Sequence, residues 1–169
     1  VSSFKLHAII LKRANFGEAD RMLTVFSLEK GKISLVAKGV RRIKSRRAPH
    51  LEPLNNVEIV THKKIITEAK SSTRPKLKLS SLGLALYAVE VIDKLLPDEQ
   101  PHEEVYELLK NLLAQEKLDE NQIKIFTTQV LWSLGFFPKG QYPKNGINNF
   151  VEQIAEKRIR SKKLWEEIQ

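Results

Sequence analysis

At 169 residues and 19.4 kDa, the chain is long enough for one domain with a buried core or for two small ones. Its 41% hydrophobic and 29% charged residues exclude a disordered polymer, and the absence of cysteine excludes disulfides, thiolate chemistry and cysteine-based zinc sites. The net charge of +9 is segregated: residues 1–80 carry 18 Lys and Arg against 6 Asp and Glu, and residues 81–169 carry 11 against 14. A polyanion-binding face explains that segregation, whereas an even halo for solubility does not.

The first 70 residues read as strands. Phe4, Leu6, Ala8 and Ile10 alternate with Lys5, His7 and Ile9, the period of a half-buried strand, which places Phe4 in the core. Arg21 to Leu28 and Lys32 to Lys38 are apolar, β-branched runs that flank Glu29-Lys30-Gly31, a hairpin turn in which Gly31 takes the positive φ. Phe26 is expected in the core, and Phe16 is expected at the exposed Asn15-Phe16-Gly17 turn. A second pair, Val57 to Thr61 and Ile65 to Ala69, is joined by His62-Lys63-Lys64. Five short strands without crossover helices predict a small antiparallel barrel of OB type over residues 1–75.

Ser71-Ser72-Thr73-Arg74-Pro75 reads as a linker, after which the period becomes helical over 76–169. Ser80 or Ser81 caps a first helix that Pro97 stops. The second has Pro101 in its first turn, an apolar stripe at Val105, Leu108, Leu109, Leu112 and Leu113, and Glu103, Glu104 and Glu107 opposite. The third opens on a capping box, Asp119 with Gln122, and closes at Gly135. Its stripe of Ile123, Phe126, Val130, Leu131 and Leu134, with Ile125 and Trp132 on a second face, predicts a position in the middle of a bundle. Asn149 with Glu152 caps a last helix through Phe150, Ile154 and Ile159. The fold class is therefore α+β, a barrel followed by an all-α region.

The strongest local feature is Lys38-Gly39-Val40-Arg41-Arg42-Ile43-Lys44-Ser45-Arg46-Arg47, with six basic residues and no acidic one. Cations at that density repel one another unless an anion compensates, and phosphate is the usual anion. Gly39 is expected to swing this loop off the barrel. The bland alternative is a solvated loop with no partner.

Catalysis finds little support. Glu18 and Asp20 suit ion pairs with Arg13 or Arg21 better than a metal or an acid–base pair. His102-Glu103 begins an H-E-x-x-H pattern, but Tyr106 stands where the second His belongs, and the glycines form neither a P-loop nor a dinucleotide fingerprint. A non-enzyme without metal or cofactor is expected. No apolar run reaches the roughly 18 residues of a membrane span, and no apolar leader of about 7–15 residues opens the chain, so a cytoplasmic, nucleoid-associated protein is expected. Val1 in place of Met fits a processed or trimmed start.

Several motifs in order resemble the RecO family of bacterial DNA repair proteins. Phe16-Gly17-Glu18-Ala19-Asp20-Arg21 is similar to its Y/F-G-E-x-D-R signature, and Gly31-Lys32 to its G-K. The stretch Ala37-Lys38-Gly39-Val40-Arg41-Arg42-Ile43-Lys44-Ser45-Arg46 resembles A-K-G-x-R-R-x-K-S-R. Leu51-Glu52-Pro53-Leu54 with Val57-Glu58 matches the following L-x-P-F/L and V-E, and Leu134-Gly135-Phe136-Phe137-Pro138 matches L-G-Y/F-x-P. Many members continue with zinc-binding cysteines, where this chain has Lys139-Gly140-Gln141-Tyr142-Pro143, so zinc is not carried over. Members are also commonly longer, so a shortened form is the expectation. Arg158-Ile159-Arg160-Ser161-Lys162-Lys163-Leu164 is faintly similar to the basic K-S-R-x-F/L close.

The resemblance implies a recombination mediator in DNA repair that binds single- and double-stranded DNA and anneals strands. With RecR it would load the RecA recombinase onto DNA coated by single-stranded DNA-binding protein. The implied contacts are Lys38, Arg41, Arg42, Lys44, Arg46 and Arg47, with Arg13 and Arg21 secondary; Arg41 and Arg42 are those the family pattern singles out. The helices would serve protein partners. Three other readings stand beside it: an RNA-binding barrel of translation or ribosome assembly, a helical adaptor whose basic loop only solubilises, and a metal nuclease using Glu18 and Asp20.

Overall fold

The computed structural model describes the backbone of residues 2–168 and the side chains of residues 2–157, so the side chains of the basic stretch from Arg158 to Leu164, Ile159 included, lie outside the described residues. Strands β1 (Ser3–Phe16), β2 (Asp20–Ser27), β3 (Gly31–Ala37), β4 (Asn56–His62) and β5 (Ile65–Thr73) come first. They close in the order β1-β2-β3-β5-β4, with β4 returning to β1. Every neighbouring pair is antiparallel except β3 and β5, which meet in parallel at Val36 and Ile65. The sheet is thus mixed, not all-antiparallel as the strand pattern predicts. Parity is the reason: directions can alternate around a closed ring only if the number of strands is even.

β1 serves two cores. Leu6, Ala8 and Ile10 point into the barrel with Leu23, Val25 and Ile59, while Ile9 and Leu11 join Phe26 and Leu54 in a second cluster with the helices. A bulge between Ile10 and Lys12 accommodates the change. Phe4, expected in the core, is instead 39% exposed and lies under the Lys30 ammonium, 3.3 Å from the ring centroid. It shares the barrel-facing side of β1 with Leu6 and Ala8, but β1 pairs with β2 only from Ala8 onward, so Phe4 projects beyond the closed wall of the barrel. The predicted linker is strand as far as Thr73, because Ser71 and Thr73 pair with Val57 and Asn56; backbone pairing outweighs their weak β propensity.

Four helices follow: α1 (Leu82–Leu95), α2 (Glu103–Leu113), α3 (Glu120–Ser133) and α4 (Ile147–Ile168). Among the described residues none is long and apolar enough to cross a membrane. The Asp119–Gln122 capping box forms with both bonds, at 2.7 and 2.9 Å. Other predicted caps differ. Ser81 makes no cap bond but is buried, accepting from Leu118 N at 2.9 Å. Pro101 precedes α2, whose cap is His102. Asn149 lies within α4 and donates to Asn145 O. The central helix is α1, which touches β1, α2, α3 and α4. The α3 residue Ile125 is half exposed, because one face of that helix suffices to pack on α1 and α2.

The two parts interlock at the β2–β3 hairpin. Lys32 Nζ donates to Asp93 O at 2.6 Å and lies 3.4 Å from an Asp98 carboxylate oxygen. Glu99 N donates to Lys32 O at 2.9 Å. Nearby, Tyr106 packs edge-on against Phe26, and its hydroxyl reaches Asn56 Oδ1 at 3.4 Å. Burial, reinforced by Glu29, pushes the Tyr106 phenol from 10.0 up to about 12. The unfolded chain therefore releases this proton first, so the stabilisation is complete below pH 10 and is lost as pH rises towards 12. Urea unfolding is expected to show a loss of about 2–3 kcal/mol over that window, and Tyr106→Phe to remove that part of the alkaline sensitivity.

Candidate nucleic-acid interface

The basic loop leaves β3 through a turn at Gly39, whose φ of +67° suits a residue without a side chain. Asp20, at the start of β2, accepts from Gly39 N at 2.7 Å. Arg41 N donates to Ala19 O at 2.9 Å, and Arg41 Nη1 to Gly17 O at 3.1 Å, tying the loop to the β1–β2 turn. Val40 is 1% exposed and packs into the barrel core. The loop is therefore folded against the barrel, not swung off it: Gly39 redirects the chain, and Val40 draws it back in.

Arg47 fixes the far end. Its guanidinium donates to Ile66 O and to Lys38 O, each at 2.6 Å. His50 then accepts from Ser71 N at 3.1 Å. The segment from Arg47 to His50 thus lies along β5, where β3 supplies only one pair. Replacing Arg47 with alanine leaves two carbonyls without these charge-assisted bonds. An expected loss of about 1.5–3 kcal/mol would appear as a lower urea midpoint, partly restored by Arg47→Lys.

The eight candidate contacts fall into two groups. Arg13 and Arg21 converge on one carboxylate oxygen of Glu52, at 2.7 and 3.5 Å. Their partner is thus Glu52, not the predicted Glu18 or Asp20, because Asp20 is engaged by the loop backbone. Arg41 and Arg47 bond backbone carbonyls. Lys38, Arg42, Lys44 and Arg46 are exposed, and their side chains have no ion pair or hydrogen bond among the described residues. Elsewhere on the barrel some cations are offset by acids, Lys5 by Glu58 at 2.8 Å and Lys12 by Asp93 at 2.8 Å. The exposed Lys63 and Lys70, beside and on β5, also have no ion pair among the described residues but stand apart from the loop's dense cluster.

Between the free cations stands Ile43, fully exposed at 105%, and Phe16 at the neighbouring turn is 49% exposed. Ile43 is legible in the sequence only as the one apolar residue between Val40 and Ala48, and a count of charges passes over it. Also missed are Arg74, Lys76 and Lys78, whose alternation with Pro75 and Leu77 was the available signal. Among the described residues no group of three or more His, Asp or Glu is placed to hold a metal ion. In the stretch after Pro138, Gln141 O accepts from Trp132 Nε1 at 2.8 Å, and Tyr142 stacks edge-on on the same indole.

Comparison with known proteins bears on the family to which this chain belongs. The model for the N-terminal part of recombination protein O matches residues 1–81, and that for its C-terminal part matches residues 77–142. The DNA repair protein RecO of Geobacter metallireducens is 35% identical over 132 residues, covering 72% of this chain and 52% of its own length. The namesake from Caldicellulosiruptor bescii is 35% identical over 143 residues, covering 79% and 59%. That of Dehalococcoides mccartyi is 34% identical over 150 residues, covering 80% and 58%. The chain thus spans little more than half the length of these curated relatives. Two adjoining domain models that run through the basic loop and end beyond the Leu134–Pro138 motif leave one assignment, that the chain belongs to the RecO family.

Proposed function

We propose that this chain is a non-catalytic DNA-binding protein of recombinational repair, whose closed barrel is of OB type and whose basic loop grips the phosphate backbone. The observation that carries the reading is the set of four uncompensated cations, Lys38, Arg42, Lys44 and Arg46, on a loop pinned at both ends. A pinned loop presents its charges without an ordering cost on binding, and cations without partners release no ion pair when phosphate arrives. Exposed Ile43 and Phe16 offer apolar contact to unstacked bases, which suits single strands and annealing. Arg13, Arg21, Arg41 and Arg47 position this surface.

In keeping with the family, the protein would act in the bacterial cytoplasm at the nucleoid. It would bind single- and double-stranded DNA and work with RecR to load RecA onto strands coated by single-stranded DNA-binding protein. Leu79, Leu82 and Leu86, exposed on one side of α1 and the turn before it, support a protein-docking role for the helical part. An RNA-binding barrel is the second reading, since the same loop would meet RNA phosphates.

The test is a fluorescence titration of single-stranded DNA and RNA of matched length over a salt series. It compares wild type with a loop variant carrying Lys38→Ala, Arg42→Ala, Lys44→Ala and Arg46→Ala. Steep salt dependence on DNA that the loop variant loses is expected. Equal binding by both proteins overturns the site, and a strong preference for RNA overturns the repair reading.

A further inference from the structure

We infer that a second nucleic-acid site lies at the junction of barrel and helices, where a cleft accepts one unstacked nucleotide of a single strand. This rests on the DNA-binding reading above and extends it to a place that the basic loop does not reach. The cleft, of 280 Å³, is lined by eleven residues, none acidic, and three of them are the cations Arg74, Lys76 and Lys110. All three are exposed, and their side chains have no ion pair or hydrogen bond among the described residues. Three cations around one concavity repel one another until an anion enters.

Beneath them the floor is apolar: the half-buried Pro75 and the edges of Leu54 and Leu113 form it, over the fully buried Ile9. Leu54 adds an independent sign. Its φ is +75°, left-handed backbone that a branched residue adopts only under constraint, and it is held there by its N–H donating to Ile10 O at 2.9 Å. That conformation sets a leucine in the floor, where strain of this kind gathers at binding sites. The Asn111 amide and the NH2 group of Asn56, whose Oδ1 is met by the Tyr106 hydroxyl, stand beside it and match the hydrogen-bonding edge of a base.

Charge above, an apolar floor and amides at the side fit a nucleotide: phosphate to the cations, base to the floor. The volume sits just under the roughly 300–1,000 Å³ of small-ligand clefts, which suits one nucleotide and not a longer segment. β5 joins the two sites. Arg47 of the basic loop binds it at Ile66, and Thr73 at its other end lines the cleft. The intervening strand is about 23 Å long, within reach of one oligonucleotide of about 4–16 residues. Lys110 lies in the last turn of α2, where the carbonyl end already attracts it. Arg74 and Lys76 therefore carry most of the effect.

The test uses the full chain, labelled oligothymidylate and a salt series. It compares wild type, the loop variant, and a junction variant carrying Arg74→Ala, Lys76→Ala and Lys110→Ala. Thermal unfolding checks that the junction variant, changed only at exposed positions, keeps its fold. The junction variant is expected to shallow the log–log salt slope by about 1.4, the share of two phosphates on a single strand. 2-Aminopurine placed at successive positions of the strand should brighten at one position with wild type and, at saturating protein in low salt, with the loop variant. The junction variant should lack that signal. A wild-type slope and signal in the junction variant, while the loop variant loses its own share, overturns the junction site and leaves the loop reading intact. Absence of salt-dependent binding by wild type overturns both. Capture of an acidic peptide at the cleft with DNA binding unchanged makes it a peptide site and overturns the nucleotide assignment.

Discussion

Over a fourfold rise in salt, the affinity of the wild-type protein for single-stranded DNA is expected to fall about fifty-fold through the basic loop alone. Each phosphate neutralised on a single strand contributes about −0.7 to the log–log slope, so the four free cations contribute about −2.8. Removing Lys38, Arg42, Lys44 and Arg46 together should erase that component while leaving thermal stability near wild type, since none of these side chains holds a bond among the described residues. Single substitutions should each shallow the slope by about 0.7 without changing sequence preference. Arg47 has no place in that variant. It anchors the loop through Ile66 O and Lys38 O, so its loss would mix unfolding with weakened binding. Fluorescence titration beside a melting curve separates the two. A slope unchanged by the fourfold substitution would remove the loop from the binding surface.

Gly31→Ala is expected to be the most damaging single change in the hairpin, costing about 2–5 kcal/mol. One part is the φ of +73°, which charges an alanine about 1–2 kcal/mol for left-handed backbone. The other is space: a Cβ there would sit 2.2 Å from Gln100 O, a backbone atom that cannot rotate away. Forced displacement of that kind typically costs about 1–3 kcal/mol. Urea unfolding measures the sum. If Gly31→Ala were as mild as an exposed turn substitution, the segment at Gln100 would have to lie off the hairpin. Gly17, with nothing within 4 Å of its Cβ position, is the control for the backbone part alone.

The same glycine shows how far the sequence can be read. Its turn role follows from Glu29-Lys30-Gly31 between two apolar runs, a local pattern. Its second role, admitting the backbone of a segment about 70 positions later, depends on a tertiary approach that no local pattern encodes. The strands were legible for the same reason, because alternation is local, and the parallel β3–β5 contact was not, because it follows from closure. In the site, charge density revealed the loop but not the division of labour within it. Arg47 and Arg42 are alike in sequence, and only carbonyls brought from Ile66 and Lys38 make one an anchor. Asp20 was visible as an acid beside an arginine, yet its partner is a backbone amide. Phe4 is misplaced by the pattern because alternation continues past the point where β2 closes the barrel against β1, and α3 because an apolar second face need not be covered.

The cluster that joins Ile9, Leu11, Phe26 and Leu54 to the helices has an experimental consequence. Barrel and helices share one interior, so they should melt as one unit and not as beads on a string. Both tryptophans, Trp132 and Trp165, fall in the helical part of the sequence. Indole emission should therefore register an oligonucleotide seated on the barrel as a rise in melting temperature, with no dye on either molecule.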